Sequence, residues 1–340
     1  MKLNKMIKKA GFFATVGAVG VLGLSGQAQA GVYGLSALEI KDLDITINGA
    51  AKLDSSGNPL NPIKTFNFSS LNTIELNGVL TGASDTCANV TCTNPNPINP
   101  SPAQLGTAAK ADNDFSLIGP NGGEYARTDS VSYSSQLATP PAVTSATENL
   151  VELNLVTGTS ASGQSSMLST TGLEFTFVGA GQLDLSFQAD INLQAVIDDA
   201  AAATATSAAS VSLQFKLVHF ETGDSVQWNP TTVGMNSCVD AQFTGTSVTC
   251  TSQTVAENLN ADVGATVVPG SSDLYGVASG FGDYAVSFNF LLAGNYTLTL
   301  SETKTVNLSR TAAIPEPASL LLLGTGLLGM GFARKNKKQA

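Results

Sequence analysis

Apolar side chains recur at every second position over several stretches of the chain. The longest run is Leu183, Leu185, Phe187, Ala189, Ile191 and Leu193, with polar residues in between. The same alternation appears from Leu38 to Ile47, at Val151, Leu153 and Leu155 (with Glu152 and Asn154 between), and at Leu173, Phe175 and Phe177. It returns at Val211, Leu213, Phe215 and Leu217, at Val286, Phe288 and Phe290, and at Tyr296, Leu298 and Leu300. A period of two puts the apolar members of each stretch on one face of a strand. Strands of this kind joined by turn-rich segments predict an all-β protein, an antiparallel β-sandwich of jelly-roll or Ig-like type. Gly179-Ala180-Gly181 falls between two strands, and Ala293-Gly294-Asn295 reads as a hairpin. Thr81 to Pro102 holds Cys87, Cys92, Pro95, Pro97, Pro100 and Pro102, a density that predicts a loop joining an N-terminal hairpin layer to the main sandwich. Asp198 to Ala209 reads as a short helix or an Ala-rich loop, and no repeat of 20 to 50 residues is evident.

Both ends depart from this pattern. Lys2, Lys5, Lys8 and Lys9 precede an apolar run from Ala10 to Leu24, which closes on Ala28-Gln29-Ala30. A charged start, a short apolar core and a small-x-small exit predict a secretory signal peptide over residues 1–30, a helix handled by the Sec machinery and removed by signal peptidase so that Gly31 becomes the N-terminus. The other end reads Pro315-Glu316-Pro317, then an apolar stretch predicted as a transmembrane helix over 318–333, then Arg334, Lys335, Lys337 and Lys338. The stretch is barely long enough to span a bilayer. The basic residues stay in the cytoplasm by the positive-inside rule, which leaves residues 31–312 outside. The two prolines fix φ, remove donors and hold the peptide extended, a shape that a protease takes into a cleft.

The tripartite tail over residues 313–340 resembles the PEP-CTERM sorting signal of Gram-negative bacteria, on Pro315, Glu316 and Pro317, the apolar span and the basic end. The resemblance implies an exosortase, a membrane thiol transpeptidase, as processing partner, and a link to exopolysaccharide and to matrix or floc formation. It also implies a terminal β-hairpin just before the tail. The expected location is therefore transient anchorage in the inner membrane and then the cell surface or the extracellular space.

Composition narrows the body further. Charged residues are 12% of the chain, and the surface is expected to be neutral and rich in hydroxyls. Four of the 16 basic residues sit at each end, which leaves eight in the body against 25 of the 26 acidic residues (all but Glu316), a formal charge of −17. A body this acidic has no basic face for phosphates, which excludes nucleic acid as a partner. Cys87, Cys92, Cys238 and Cys250 lie in the exported part, where disulfides form. The close pairs predict bonds 87–92 and 238–250, each closing a loop or hairpin; their spacing is not that of a zinc ribbon or finger.

No catalytic constellation emerges. The one histidine, His219, falls at a strand end, and no Gly-x-Ser-x-Gly elbow exists. Acidic residues such as Asp42, Asp44, Asp184, Asp198 and Asp199 offer carboxylate pairs for glycoside hydrolysis, without a pattern that selects one. Asp112-Asn113-Asp114 and Asp198-Asp199 are calcium candidates, though neither completes a calcium loop. The one tryptophan, Trp228, is either a sugar-stacking platform or the cap of a sandwich edge. Asn-x-Ser/Thr triplets occur at Asn67, Asn89, Asn295 and Asn307, as a composition rich in these residues produces by chance. The expectation is a non-catalytic surface or matrix protein without cofactor or metal. The alternatives are a carbohydrate-binding module, marked by an exposed Trp228 in a shallow groove, and a secreted hydrolase, marked by two facing carboxylates with flanking aromatics.

Overall fold

The computed structural model describes residues 31–312 apart from 50–62, 89–102, 107–109, 112–113, 136–141, 157–160, 199–201, 232–237, 242–248, 267–269, 277–279 and 291. Sixteen strands and no helix occur among the described residues, in two antiparallel sheets of eight strands. Sheet I contains β1 (Val32–Gly49), β4 (Ala103–Gly106), β5 (Tyr125–Ser135), β6 (Ala142–Leu155), β8 (Gly181–Ile197), β12 (Thr249–Val255), β14 (Ser271–Tyr275) and β15 (Gly282–Phe290). Its order is β12-β15-β8-β1-β6-β5-β4, with β14 also on β8. Sheet II contains β2 (Ile63–Leu76), β3 (Val79–Ala88), β7 (Ala161–Phe177), β9 (Ala202–His219), β10 (Ser225–Trp228), β11 (Cys238–Ala241), β13 (Asp262–Thr266) and β16 (Gly294–Ala312). Its order is β11-β10-β9-β16-β7-β2-β3, with β13 also on β9. The strand number exceeds that of an immunoglobulin domain or a single jelly roll. The expected signal and transmembrane helices lie outside the described residues.

The alternating runs make the core. Leu183 to Leu193 of β8, Leu173 to Phe177 of β7, Val211 to Leu217 of β9 and Tyr296 to Leu300 of β16 all bury their apolar members between the sheets. In β1 the parity changes midway. Leu38 and Ile40 face the core, and after a register shift around Asp42 (φ 51°) Leu43, Ile45 and Ile47 do so as well. The bulge absorbs the odd step that would otherwise turn the second half of the strand outward.

Several expectations are corrected. β15 pairs with β8 and β12, whereas β16 pairs with β7 and β9. Ala293-Gly294-Asn295 therefore crosses between sheets and forms no hairpin, and no terminal hairpin precedes the tail among the described residues. Both strands are amphipathic, and each buries its apolar face in the core between the sheets while pairing with other strands of its own sheet. Residues 81–88 of the expected loop belong to β3, an edge strand paired with β2 inside sheet II, so this hairpin is part of the sandwich; residues 89–102 lie outside the described residues. The turn of that hairpin is Asn77-Gly78, with φ of 51° and 80°, the left-handed pair that a two-residue connection demands. From Ala202 to Ala209 the chain is strand, with Ala205 and Ala209 buried: small residues on the core face meet the opposite sheet closely, and helix propensity yields to pairing with β16.

Cys238 and Cys250 are joined, with Cα atoms 5.8 Å apart. The bond closes a short loop, as expected, yet it is no hairpin staple. Cys238 lies on β11 at the edge of sheet II and Cys250 on β12 at the edge of sheet I. Of the other expected bond, Cys92 and the Cys87 side chain lie outside the described residues. Replacing Cys238 and Cys250 together by serine should cost about 3 kcal/mol, the entropy of an opened loop of this size. A denaturation midpoint unchanged from that of the parent protein would show that the cross-sheet staple contributes nothing.

Candidate functional site

The tail is delivered by the centre of sheet II. β16 pairs along nearly its whole length with β7 and β9, and its last residues lie opposite Ala161 and Ala202, the first residues of those strands. The sorting segment begins at the next residue. Across the core, β1 starts at the same pole. The Ser207 hydroxyl donates to the Tyr33 carbonyl at 2.6 Å, and a Cβ on Gly34 would stand 2.5 Å from Val306 Cγ1 and 3.1 Å from Leu308 Cδ2. Only glycine admits that approach. Gly31 is buried, and its carbonyl accepts the Asp198 N–H at 2.9 Å. The predicted export signal and the sorting tail thus leave from one end of the sandwich. The eight residues from Ala313 to Leu320 reach at most about 29 Å when extended, so that pole is confined near any membrane that holds the apolar run. Ala28, Ala30, Pro315, Glu316, Pro317, Arg334, Lys335, Lys337 and Lys338 lie outside the described residues.

The candidates for chemistry in the body resolve as follows. His219 ends β9 as expected, with a buried ring 4.8 Å from that of Tyr296 and Nδ1 2.8 Å from the Thr222 hydroxyl. Nε2 lies 3.1 Å from the Glu221 carboxylate, which also accepts the Asn295 N–H and side-chain amide. The group locks the β9–β10 turn. Trp228 is fully buried against Phe187 and Phe215, with centroids at 6.0 and 5.1 Å, so, contrary to the sugar-stacking expectation, it has no exposed face on which a sugar could stack. Asp114 is held below the usual carboxylate range, chiefly by the Ser116 hydroxyl and further by Lys110, its ion-pair partner. Asp112, Asn113 and Asp199 lie outside the described residues, and no group of acidic, histidine or cysteine side chains suited to a metal occurs among those described.

Three polar clusters escaped the sequence pattern. Glu152, with Asn154, occupies the face of β6 that alternation assigns to solvent, yet it is fully buried. Its carboxylate accepts both Tyr33 and Tyr125 hydroxyls at 2.9 Å, the Gly119 N–H at 2.8 Å and Arg127 Nε at 2.9 Å. Arg127 also donates to the Asp114 and Ser116 carbonyls, which pins residues 114–119 over the outer face of sheet I. Burial, reinforced by the Glu152 charge, pushes both tyrosines far above their ordinary range. The second cluster lies between the sheets: Glu302 and Lys304 of β16 are 1% and 0% exposed and in contact, and Asn149 Nδ2 of β6 donates to Glu302 at 2.9 Å.

The third is a row of carboxylates across sheet I. Glu39 lies directly opposite Glu148 on β6 and Asp190 on β8. Lys41 pairs with Glu39 at 2.8 Å and stands 3.6 Å over the Phe281 ring. Like charges on directly opposed strand positions repel. Burial first, and the Glu39 charge second, push Glu148 up to about 8 and Asp190 up to about 6.

The fold defines a class, an all-β two-sheet sandwich whose last described strand is central in its sheet, and the tripartite tail of the sequence follows that strand. Residues 313–335 match the PEP-CTERM protein-sorting motif, so the chain is a PEP-CTERM domain-containing protein. The motif implies export, a transient C-terminal membrane anchor and an exosortase as processing partner. No curated protein and no solved structure matches the chain.

The carboxylate row makes stability depend on pH. Glu148 binds its proton more tightly folded than unfolded, so its contribution is complete below about pH 4.5 and is lost as pH rises to about 8. Glu148→Gln should therefore be more stable than the parent protein at pH 8 and no more stable at pH 4. Denaturation midpoints at the two pH values check this, and parallel profiles for the two proteins would refute it.

Proposed function

We propose that this is an exported, non-catalytic surface or extracellular-matrix protein, made by exosortase processing of its tail and associated with exopolysaccharide in a biofilm or floc. The observation that supports it most is the placement of the sorting motif. The motif starts one residue beyond Ala312, at the end of a strand held on both sides by neighbours. A tail attached in this way reports directly on a folded body: whatever becomes joined to the processed end is joined to the middle of sheet II. The acidic, hydroxyl-rich composition suits a soluble matrix component. The interior positions of Trp228 and His219 leave the aromatic and imidazole candidates in packing roles.

One observation favours a secreted hydrolase as a second reading. Glu39 and Glu148 face each other, and burial with the Glu39 charge pushes Glu148 up to about 8, in the direction that a proton donor in glycoside hydrolysis needs. In that reading Glu148→Gln abolishes release of reducing ends from the cell's own exopolysaccharide.

The principal test is the mass of the protein recovered from the medium and from the membrane fraction. The expected product lacks residues 1–30 and the chain from about Pro317 onward. In the variant carrying both Pro315→Ala and Pro317→Ala, that product should disappear and the unprocessed chain should accumulate in the membrane. Unchanged processing and location in the double variant would defeat the sorting reading.

A further inference from the structure

The buried cluster on β16 has the makings of a covalent bond. Lys304 Nζ is fully enclosed, and apart from its contact with Glu302 it has no hydrogen-bond partner among the described residues. Its in-sheet neighbour on β9 is Val211, and that of Glu302 is Leu213. On the opposing sheet Asn149 has Leu38 beside it on β1. All three apolar residues are buried in the core, so the surroundings are dry. A single carboxylate contact offsets little of the cost of an ammonium in so dry a place, and burial drives the group toward its neutral, nucleophilic form. Burial does pull the Lys304 ammonium well below the ordinary lysine range. Glu302 touches both other members: one carboxylate oxygen contacts Nζ, and the other accepts Asn149 Nδ2 at 2.9 Å. An amine, a side-chain amide and a carboxylate between them are the components of an acyl transfer.

We propose that Lys304 and Asn149 form an intramolecular isopeptide bond across the sandwich, with Glu302 moving the proton. The lone pair of neutral Nζ attacks Asn149 Cγ and forms the Nζ–Cγ bond. Glu302, as carboxylate, takes a proton from the attacking nitrogen and passes one to Nδ2, with which it already shares a hydrogen bond. The Cγ–Nδ2 bond then breaks and ammonia leaves. Amine and primary amide become secondary amide and ammonia, with no oxidant, reductant or co-reactant, and Glu302 ends as it began. The product ties β16, the strand that carries the sorting tail, to β6 of the other sheet. A pull on a tail-anchored body then passes through a covalent bond to both sheets.

The test is independent of how the ends are processed. Full-length protein is expressed, reduced and digested with trypsin, and the peptides are sequenced by tandem mass spectrometry. The expected result is a branched peptide containing Asn149 and Lys304, lighter than its two parts by one ammonia, with no cleavage after Lys304. In Glu302→Gln the two segments should be recovered separately and at full mass. Separate unmodified peptides from the parent protein would overturn the proposal. So would a species lighter by one water with both Glu302 and Lys304 in one linear peptide, which would be a bond to the neighbouring carboxylate instead. The digest of the parent protein decides even where the variant fails to fold.

Discussion

Two broad apolar faces can leave water only by covering each other, and the rest of this protein follows from that burial. The faces are long because the strands are long: β1, β8, β9 and β16 each run for 17 to 19 residues and alternate over most of that length. Each buried leucine or phenylalanine contributes on the order of 2 kcal/mol. Fixing strands on both sides of a common core requires the backbones to approach at measured places. Where β1 crosses β16, the approach is close enough that Gly34 has room for no side chain against Val306. Where the sheets end, the Cys238–Cys250 bond holds one edge shut.

The same burial explains where the unusual electrostatics arise. A charged or phenolic group enters a dry site only with partners, and each buried cluster solves this differently. Glu152 is surrounded by donors and by Arg127, which offset its desolvation and order the segment 114–119 above it. The Glu39, Glu148 and Asp190 row lacks enough cations, with Lys41 alone among the described residues pairing into it, and protonation relieves it instead. Lys304 has one carboxylate and no further hydrogen-bond partner among the described residues, which leaves loss of its charge as the available relief.

Function and fold meet at one pole. Gly31 and Ala312 both lie there, so the chain enters and leaves the sandwich at the same end, and the sorting motif follows from that end. The central position of β16 matters for this arrangement. An edge strand would peel when its end is pulled, whereas a strand bonded to β7 and β9 on both sides must shear both ladders together.

The sequence by itself determined the strand class, most of the core residues and the sorting motif at the C-terminal end. Alternation along one strand is a local property, and an apolar run beside a charged cluster is read by export machinery as a linear peptide. It also held one hairpin signal that the alternation alone passes over, Asn77-Gly78 between Leu76 and Val79. What it left open was which strands share a sheet, because an amphipathic strand buries its face equally well beside its neighbour or across the core. Hence Ala293-Gly294-Asn295 reads as a hairpin and is a crossing between sheets. Burial on the second face was equally illegible. Glu152 looks outward-facing in the sequence and became interior only when residues 114–119 covered it; Trp228, open in the sequence between a stacking platform and an edge cap, became interior by packing on Phe187 of the other sheet and on its in-sheet neighbour Phe215. The meeting of Asn149 with Glu302 and Lys304, 153 residues apart along the chain at its nearest hydrogen bond, belongs to tertiary structure alone, since only the packing of sheet on sheet brings those groups together.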